Sequence, residues 1–284
     1  MPPRVTPTVR QARLGAELRI LRERAGRTAR EAGALLGVDQ ARMSNIEAGR
    51  IGIGEDRIRR LAAFYACGDR ALIDALCVIA NERRGQHWWE EYRGVLPPGF
   101  LDVAELEHHA TYLRSLQIVS IPGILQTEEY ARTIFGGDVP ALSDTELEAR
   151  VEHRMRRRLI FERPDPPELT ALIHEAALRM RFGGRRVAGA QLAYVLEVSE
   201  APSVTVRVIP FRNEEFFEAT QPLLYAGGAV PQLDTVQMDT IFGGHYLYAE
   251  AQLNKYRALL DIAEVASLGI EDSRDLIQRI IRER

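Results

Sequence analysis

The sequence predicts an all-α head of five helices followed by a larger α+β domain with a small sheet, and three observations carry that reading. Through about residue 83 the apolar residues recur three and four apart, with turn residues between the runs. Beyond a proline cluster at 164–167 the spacing shifts toward two, the period of strands. The charge also changes sign along the chain. Residues 1–70 hold 14 Arg against 8 Asp and Glu, net +6, whereas the remaining 214 residues hold 23 basic and 32 acidic groups, net −9. The overall balance of −3 hides this division.

The first helix is expected from about Val9 to Ala25, with Leu14, Leu18 and Leu21 on one face and Gly26 ending it. Thr28 starts a second: Glu31 follows three residues later, so hydroxyl and carboxylate each satisfy a backbone group at the helix start. Ala32, Leu35 and Leu36 give it an apolar stripe, and Gly33 leaves no side chain where another helix would cross. Gly37 suits a left-handed turn, Val38 plugs the core, and Asp39 caps a third helix beginning at Gln40. After a turn at 51–54, Ile58, Leu61, Ala62 and Tyr65 define a fourth helix. Leu72, Ile73, Leu76 and Ile79 define a fifth.

In the third helix Met43 and Ile46 share one face and pack inward, leaving Gln40, Ala41, Arg42, Ser44 and Asn45 outward. That exposed set is small, polar and charged. Gln and Asn pair with adenine, Arg with guanine, and Ala touches the thymine methyl, each good bidentate pair contributing about 1–3 kcal/mol of discrimination. Thr28, Arg30 and Arg50 are candidates for phosphate contacts, and the net positive head suits a polyanion. Two short amphipathic helices joined at a glycine also occur in proteins that never meet DNA, so the outward residues carry the distinction.

From Gly85 to Gly99, Trp88, Trp89 and Tyr92 mix with Pro97 and Pro98, which reads as a connector that packs; the domains are divided as 1–84 and 85–284. Asp102 to Ser120 has a helical pattern, and a turn at 121–127 leads into a helix carrying Glu128 to Phe135. Ser143 with Glu146 caps another that runs to about Phe161. Its run Arg154, Arg156, Arg157, Arg158 is preceded by Glu148 and Glu152 at helical spacing, so it reads as a solvated, paired face rather than a second DNA contact. Strands are expected at 169–174, 203–210, 222–226 and 235–240, and helices near 186–200, 250–267 and 272–282.

The run Gly37, Val38 and then Ile46, Glu47, Ala48, Gly49, Arg50 resembles the phage-repressor, or XRE, type of helix-turn-helix over roughly residues 11–67. That resemblance implies an ion pair between Arg22 and Glu47. A double-stranded DNA partner is expected, and because one such helix pair reads only a few base pairs, so is a homodimer on two half-sites about one helical turn apart. Members often carry Gln where this chain has Ala29, a departure at a phosphate-contacting position. The later order VSIPGILQTEEYA, ALIHEAALRM with FGG, SVTVRVIPF and GGHYL is similar to actinobacterial regulators in which such a head precedes an antitoxin-like domain. Gln117 departs from the usual Trp or Thr before the first phrase. What this implies is a regulator encoded beside a small partner protein.

Composition excludes several other classes. The apolar fraction of 46% is that of a core-forming globular chain. Two cysteines, Cys67 and Cys77, provide neither a disulfide framework nor a four-ligand zinc site, and point to a reducing compartment. No stretch nears the ~18 apolar residues of a membrane helix, and the first residues lack the apolar core of a signal peptide, so a cytoplasmic location without membrane contact is expected. All basic residues but Lys255 are Arg, a skew that accompanies high-GC bacterial coding.

No catalytic residue, metal or cofactor is expected. His108 and His109 are adjacent, so on a helix they diverge and make a poor metal pair. His174 beside Glu175 ends a strand and reads as hydrogen-bonded rather than catalytic. The glycine pairs 183–184, 227–228 and 243–244 read as turns, and no serine sits in a nucleophile elbow. The second domain is expected to serve oligomerisation and interaction. A sharper reading makes it a sensor whose pocket is lined by Phe211, Phe216, Phe217, Tyr225 and Tyr246. An enzyme carrying a DNA-binding head is the remaining alternative.

Overall fold

A computed structural model describes residues 7–82, 85, 87–214, 221–240 and 243–284. The chain divides into two compact units, Met1–Glu91 with Val230–Leu233, and Tyr92–Ala229 with Asp234–Arg284. The boundary between Glu91 and Tyr92 falls inside the Trp-bearing connector.

The first unit holds α1 (Val9–Arg24), α2 (Ala29–Leu36), α3 (Gln40–Glu47), α4 (Glu55–Phe64) and α5 (Arg70–Asn81). Each of these helices donates its apolar stripe to one core: Leu14 and Leu18, Ala32 and Leu36, Met43 and Ile46, Ile58 and Leu61, Leu72 and Leu76. Local signals set the ends. The Thr8 hydroxyl caps α1 by accepting from the Gln11 backbone, and Gly26 takes φ +64° just past its end.

The second unit is α+β. It contains α6 (Pro98–His109), β1 (Tyr112–Gln117), α7 (Glu128–Gly136), α8 (Asp144–Arg157), β2 (Glu168–His174), α9 (Glu175–Arg179) and α10 (Gly184–Val198). There follow β3 (Val204–Ile209), β4 (Leu223–Gly227), β5 (Thr235–Thr240), β6 (Gly243–Leu247), α11 (Glu250–Ala266) and α12 (Ile270–Arg282). The six strands form one mixed sheet in the order β3-β2-β1-β4-β5-β6. The pairs β1–β2 and β2–β3 are parallel, and the others antiparallel. The parallel connections need crossovers, which α7–α8 and α9–α10 supply.

The sheet is covered on both faces. Leu113, Leu169, Ala171, Ile173 and Val206 pack on one side with Tyr130, Leu192, Val195 and Ile277. Leu116, Leu172, Tyr225 and Val236 pack on the other with Leu253 and Leu260 of α11. Between β1, β4 and α11, the buried Asp234 carboxylate accepts from the Tyr112 and Tyr225 hydroxyls at 2.9 and 2.6 Å, the Gly228 amide at 3.1 Å and Arg257 at 2.9 Å.

Several sequence expectations are corrected here. The helical reading of Asp102–Ser120 fails after His109, because Tyr112–Gln117 is the central strand β1. Leu113 and Leu116, three apart, mimic a helical stripe but enter opposite cores of a sheet covered twice. Gly243 and Gly244 open an edge strand rather than a turn, with the Tyr246 ring lying over Gly244. Gly227 likewise ends β4 and leaves room for the Tyr112 ring. At six strands the sheet is larger than the small one expected.

Candidate DNA-binding interface

The local code for α2–turn–α3 is realised in detail. The Thr28 hydroxyl accepts from the Glu31 backbone at 3.2 Å, while the Glu31 carboxylate accepts from the Thr28 amide at 2.7 Å. Gly37 adopts φ +68°, the left-handed conformation that lets the chain leave α2, and the Asp39 carboxylate accepts from the Arg42 backbone at 2.6 Å. A Cβ on Gly33 would stand 2.8 Å from the Val38 carbonyl, so the absent side chain permits this tight corner.

α3 is anchored from beneath. Met43 is fully buried and Ile46 is 2% exposed. Arg22 of α1 reaches Glu47 through Nε at 2.6 Å and Nη2 at 3.1 Å, and its Nη1 donates to the Arg27 carbonyl at 2.8 Å. All three guanidinium nitrogens are thereby used, and the bond to Glu47 holds the Arg22 pKa above the ordinary arginine value. The Tyr65 phenol is raised above its usual value, first by burial and then by the Glu47 charge. The expected Arg22–Glu47 pair is therefore present, as a buried clamp between α1 and α3.

Above that anchor, Gln40, Ala41, Arg42 and Ser44 are exposed along one side of α3. Asn45 is only partly exposed, and its amide donates to the Ala41 carbonyl at 3.1 Å, so it turns along its own helix. Arg30 and Arg50 are exposed, and among the described residues neither they nor Arg42 form an ion pair. Thr28 is exposed too, but its hydroxyl also donates to Glu31 at 2.8 Å and is committed to the cap. One contributor escaped sequence reasoning: Gly15 of α1, whose Cβ would lie 2.5 Å from the Glu47 carbonyl. Its only sequence signal was a glycine inside a helical run, which lowers helix propensity without revealing the neighbour.

Residues 13–76 match a family described as a helix-turn-helix domain, the class of DNA-binding regulators. Residues 100–279 match the family described as a domain of unknown function, DUF5753. The chain belongs to that DUF5753 family. No curated protein and no solved structure matches it.

Within the DUF5753 region the other candidate residues lie at separate places in the fold. His108 and His109 do not diverge: α6 ends there, and the two rings stand edge to face with centroids 4.9 Å apart. His174 accepts from the Ala176 backbone at 3.2 Å and caps α9, while Glu175 accepts from Arg179 at 2.7 Å and from the Phe211 amide at 2.9 Å. Among the described residues the aromatic pocket does not assemble. Tyr225 is buried in the α11-side core, Tyr246 points to the opposite face and donates to the Gly99 carbonyl at 3.3 Å, and Phe211 is exposed. Phe216 and Phe217 lie outside the described residues. The arginine run of α8 is not one solvated face either, since Arg157 is buried against Glu107 and Arg154 bonds to Gln126. Glu148 pairs instead with Arg132. Cys67 and Cys77 are free thiols, and among the described residues no helix is long and apolar enough to cross a membrane.

Proposed function

We propose that the chain is a sequence-specific transcriptional regulator of the XRE type, with α3 in the major groove of double-stranded DNA. The observation that carries this reading is the exposed row Gln40, Ala41, Arg42 and Ser44, held over buried Met43 and Ile46 by the Arg22–Glu47 clamp. Gln40, Ala41, Arg42, Ser44 and Asn45 read bases, Asn45 after giving up its bond to Ala41; Thr28, Arg30 and Arg50 hold phosphates. Thr28 does so through its backbone or by sharing its hydroxyl.

One such helix covers only a few base pairs, so the working form is a homodimer on two half-sites about one helical turn apart. The DUF5753 region serves oligomerisation and the sensing of an effector or a small partner protein, as in antitoxin-like actinobacterial regulators. The protein acts in the cytoplasm and is a regulator rather than an enzyme.

Selection of bound genomic fragments by the full-length chain tests this. Enrichment of a two-fold-related site, with base preference relaxed at defined positions by Gln40→Ala, supports the reading. A chain that retains no duplex at low ionic strength overturns it.

A further inference from the structure

Two arginines of α8 turn into the second unit, and their charges do not balance. Arg157 forks onto the buried Glu107 through Nε at 2.7 Å and Nη2 at 2.5 Å, which leaves its Nη1 unused among the described residues. Arg154 donates from Nη1 to the Gln126 carbonyl oxygen at 2.6 Å, and its guanidinium lies 4.4 Å from the centre of the Phe135 ring. Among the described residues no carboxylate touches Arg154, and its Nε is buried without a hydrogen-bond partner. Two guanidinium groups thus share one contacting carboxylate.

Gly123 is what brings them together. A Cβ there would sit 3.2 Å from Nη1 of Arg154 and 3.3 Å from Nη1 of Arg157. Gln126 is fixed in its turn, since its amide donates to the Ile121 carbonyl at 2.8 Å, so the oxygen facing Arg154 cannot swing away. Burial, and after it the charge of Arg157, pulls the Arg154 pKa down to about 9. The carboxylates of Asp239, Glu107 and Asp138 act on it from further off, but Glu107 is already bonded to Arg157 and Asp239 is itself exposed to screening water. Arg154 nevertheless keeps part of its surface open to solvent. A desolvated cation beside a like charge is costly unless an anion joins it.

We propose that the guanidinium groups of Arg154 and Arg157, gathered beside Gly123 and Gln126, bind a small oxyanion, the carboxylate or phosphate group of a metabolite. Guanidinium groups present several N–H donors in a plane that matches such oxygens, and the Phe135 ring fixes the plane of one of them. The site lies wholly within the DUF5753 region and does not depend on the reading of the head.

The test is calorimetric titration of the full-length protein with inorganic phosphate and, separately, with acetate, chloride being adjusted to hold ionic strength constant. Saturable binding of either anion is expected, weakened about tenfold or more by Arg154→Gln. A response to phosphate alone assigns a phosphate group, and one to acetate alone a carboxylate. Absence of saturable binding by both, or unchanged binding in a folded Arg154→Gln protein, overturns the proposal. Should that variant fail to fold, Gly123→Ala decides: it places a methyl among flexible side-chain ends, so loss of binding supports the site and full retention overturns it.

Discussion

The α-carbon of Gly15 lies so close to the Glu47 carbonyl that a methyl group would stand 2.5 Å from that oxygen. Backbone of α1 therefore meets backbone of α3 directly, and the helix that faces DNA in the proposed complex is positioned by an absent side chain. Gly15→Ala is expected to destabilise the first unit by about 1–3 kcal/mol, the usual cost of forcing extra atoms into a packed contact. Gly52→Ala, which meets nothing within 4 Å, serves as the control. Denaturant unfolding followed by circular dichroism reads both, and equal stabilities would remove Gly15 from this role.

Glu47→Ala leaves the Arg22 guanidinium in the core with only the Arg27 carbonyl and a 3.5 Å contact to Glu23. A loss of about 3 kcal/mol is expected, because an uncompensated buried charge remains. Replacing Arg22 and Glu47 together by Leu should recover most of it. A double variant as unstable as the single one would show that the pair holds the helices by geometry that Leu cannot reproduce.

Arg50→Ala and Arg30→Ala should weaken duplex binding on every sequence alike. Each is expected to lower the slope of log affinity against log salt by about 1, as loss of one phosphate contact does. Fluorescence anisotropy across a salt series measures this. Unchanged slopes would place both arginines away from the DNA.

The His153 ring is fully buried, edge-on to Tyr92 and Phe100, and burial followed by the charges of Arg157, Arg154 and Arg156 lowers its pKa to about 3. A histidine kept neutral in the fold contributes its full stability above the unfolded value near 6.5 and loses it as pH falls toward the folded value. Between pH 7 and 5 the native protein should lose about 2 kcal/mol more than His153→Leu does. Unfolding midpoints at the two pH values read the difference, and parallel losses would refute it.

Asp234→Ala removes the acceptor shared by Tyr112, Tyr225, Gly228 and Arg257. A cost of about 3–5 kcal/mol to the second unit is expected, since it leaves Arg257 without its carboxylate and two hydroxyls without their acceptor. Thermal melting of the variant checks this, and a melting point near that of the native chain would show the network to be dispensable.

The head was legible because its instructions are local. Thr28 with Glu31, Gly37, and Asp39 before Gln40 each act within a few residues, and all three behave as their chemistry dictates. The Arg22–Glu47 pair, 25 residues apart, came from the family resemblance rather than from spacing. Gly15 stayed hidden because its partner is a carbonyl of another helix. β1 was concealed for a different reason: Arg114 and Ser115 stand between Leu113 and Leu116, which face opposite cores, so the strand carries no apolar–polar alternation to read. The inward turn of Arg154 and Arg157 was masked by Glu148 and Glu152, which offered nearer partners on paper while Glu107 on α6 took Arg157.

The central place of β1 sets a timetable for synthesis. Tyr112 pairs with Glu168 on one side and Gly227 on the other, so this strand waits for more than a hundred further residues before both its edges are satisfied. The five helices of the head are all in hand by Asn81. On the ribosome, the end that faces nucleic acid in the proposed complex is thus ready to gather its helices while the remainder still lacks its own middle, and a pause or truncation before Gly227 strands a ribbon with an unpaired edge open to aggregation.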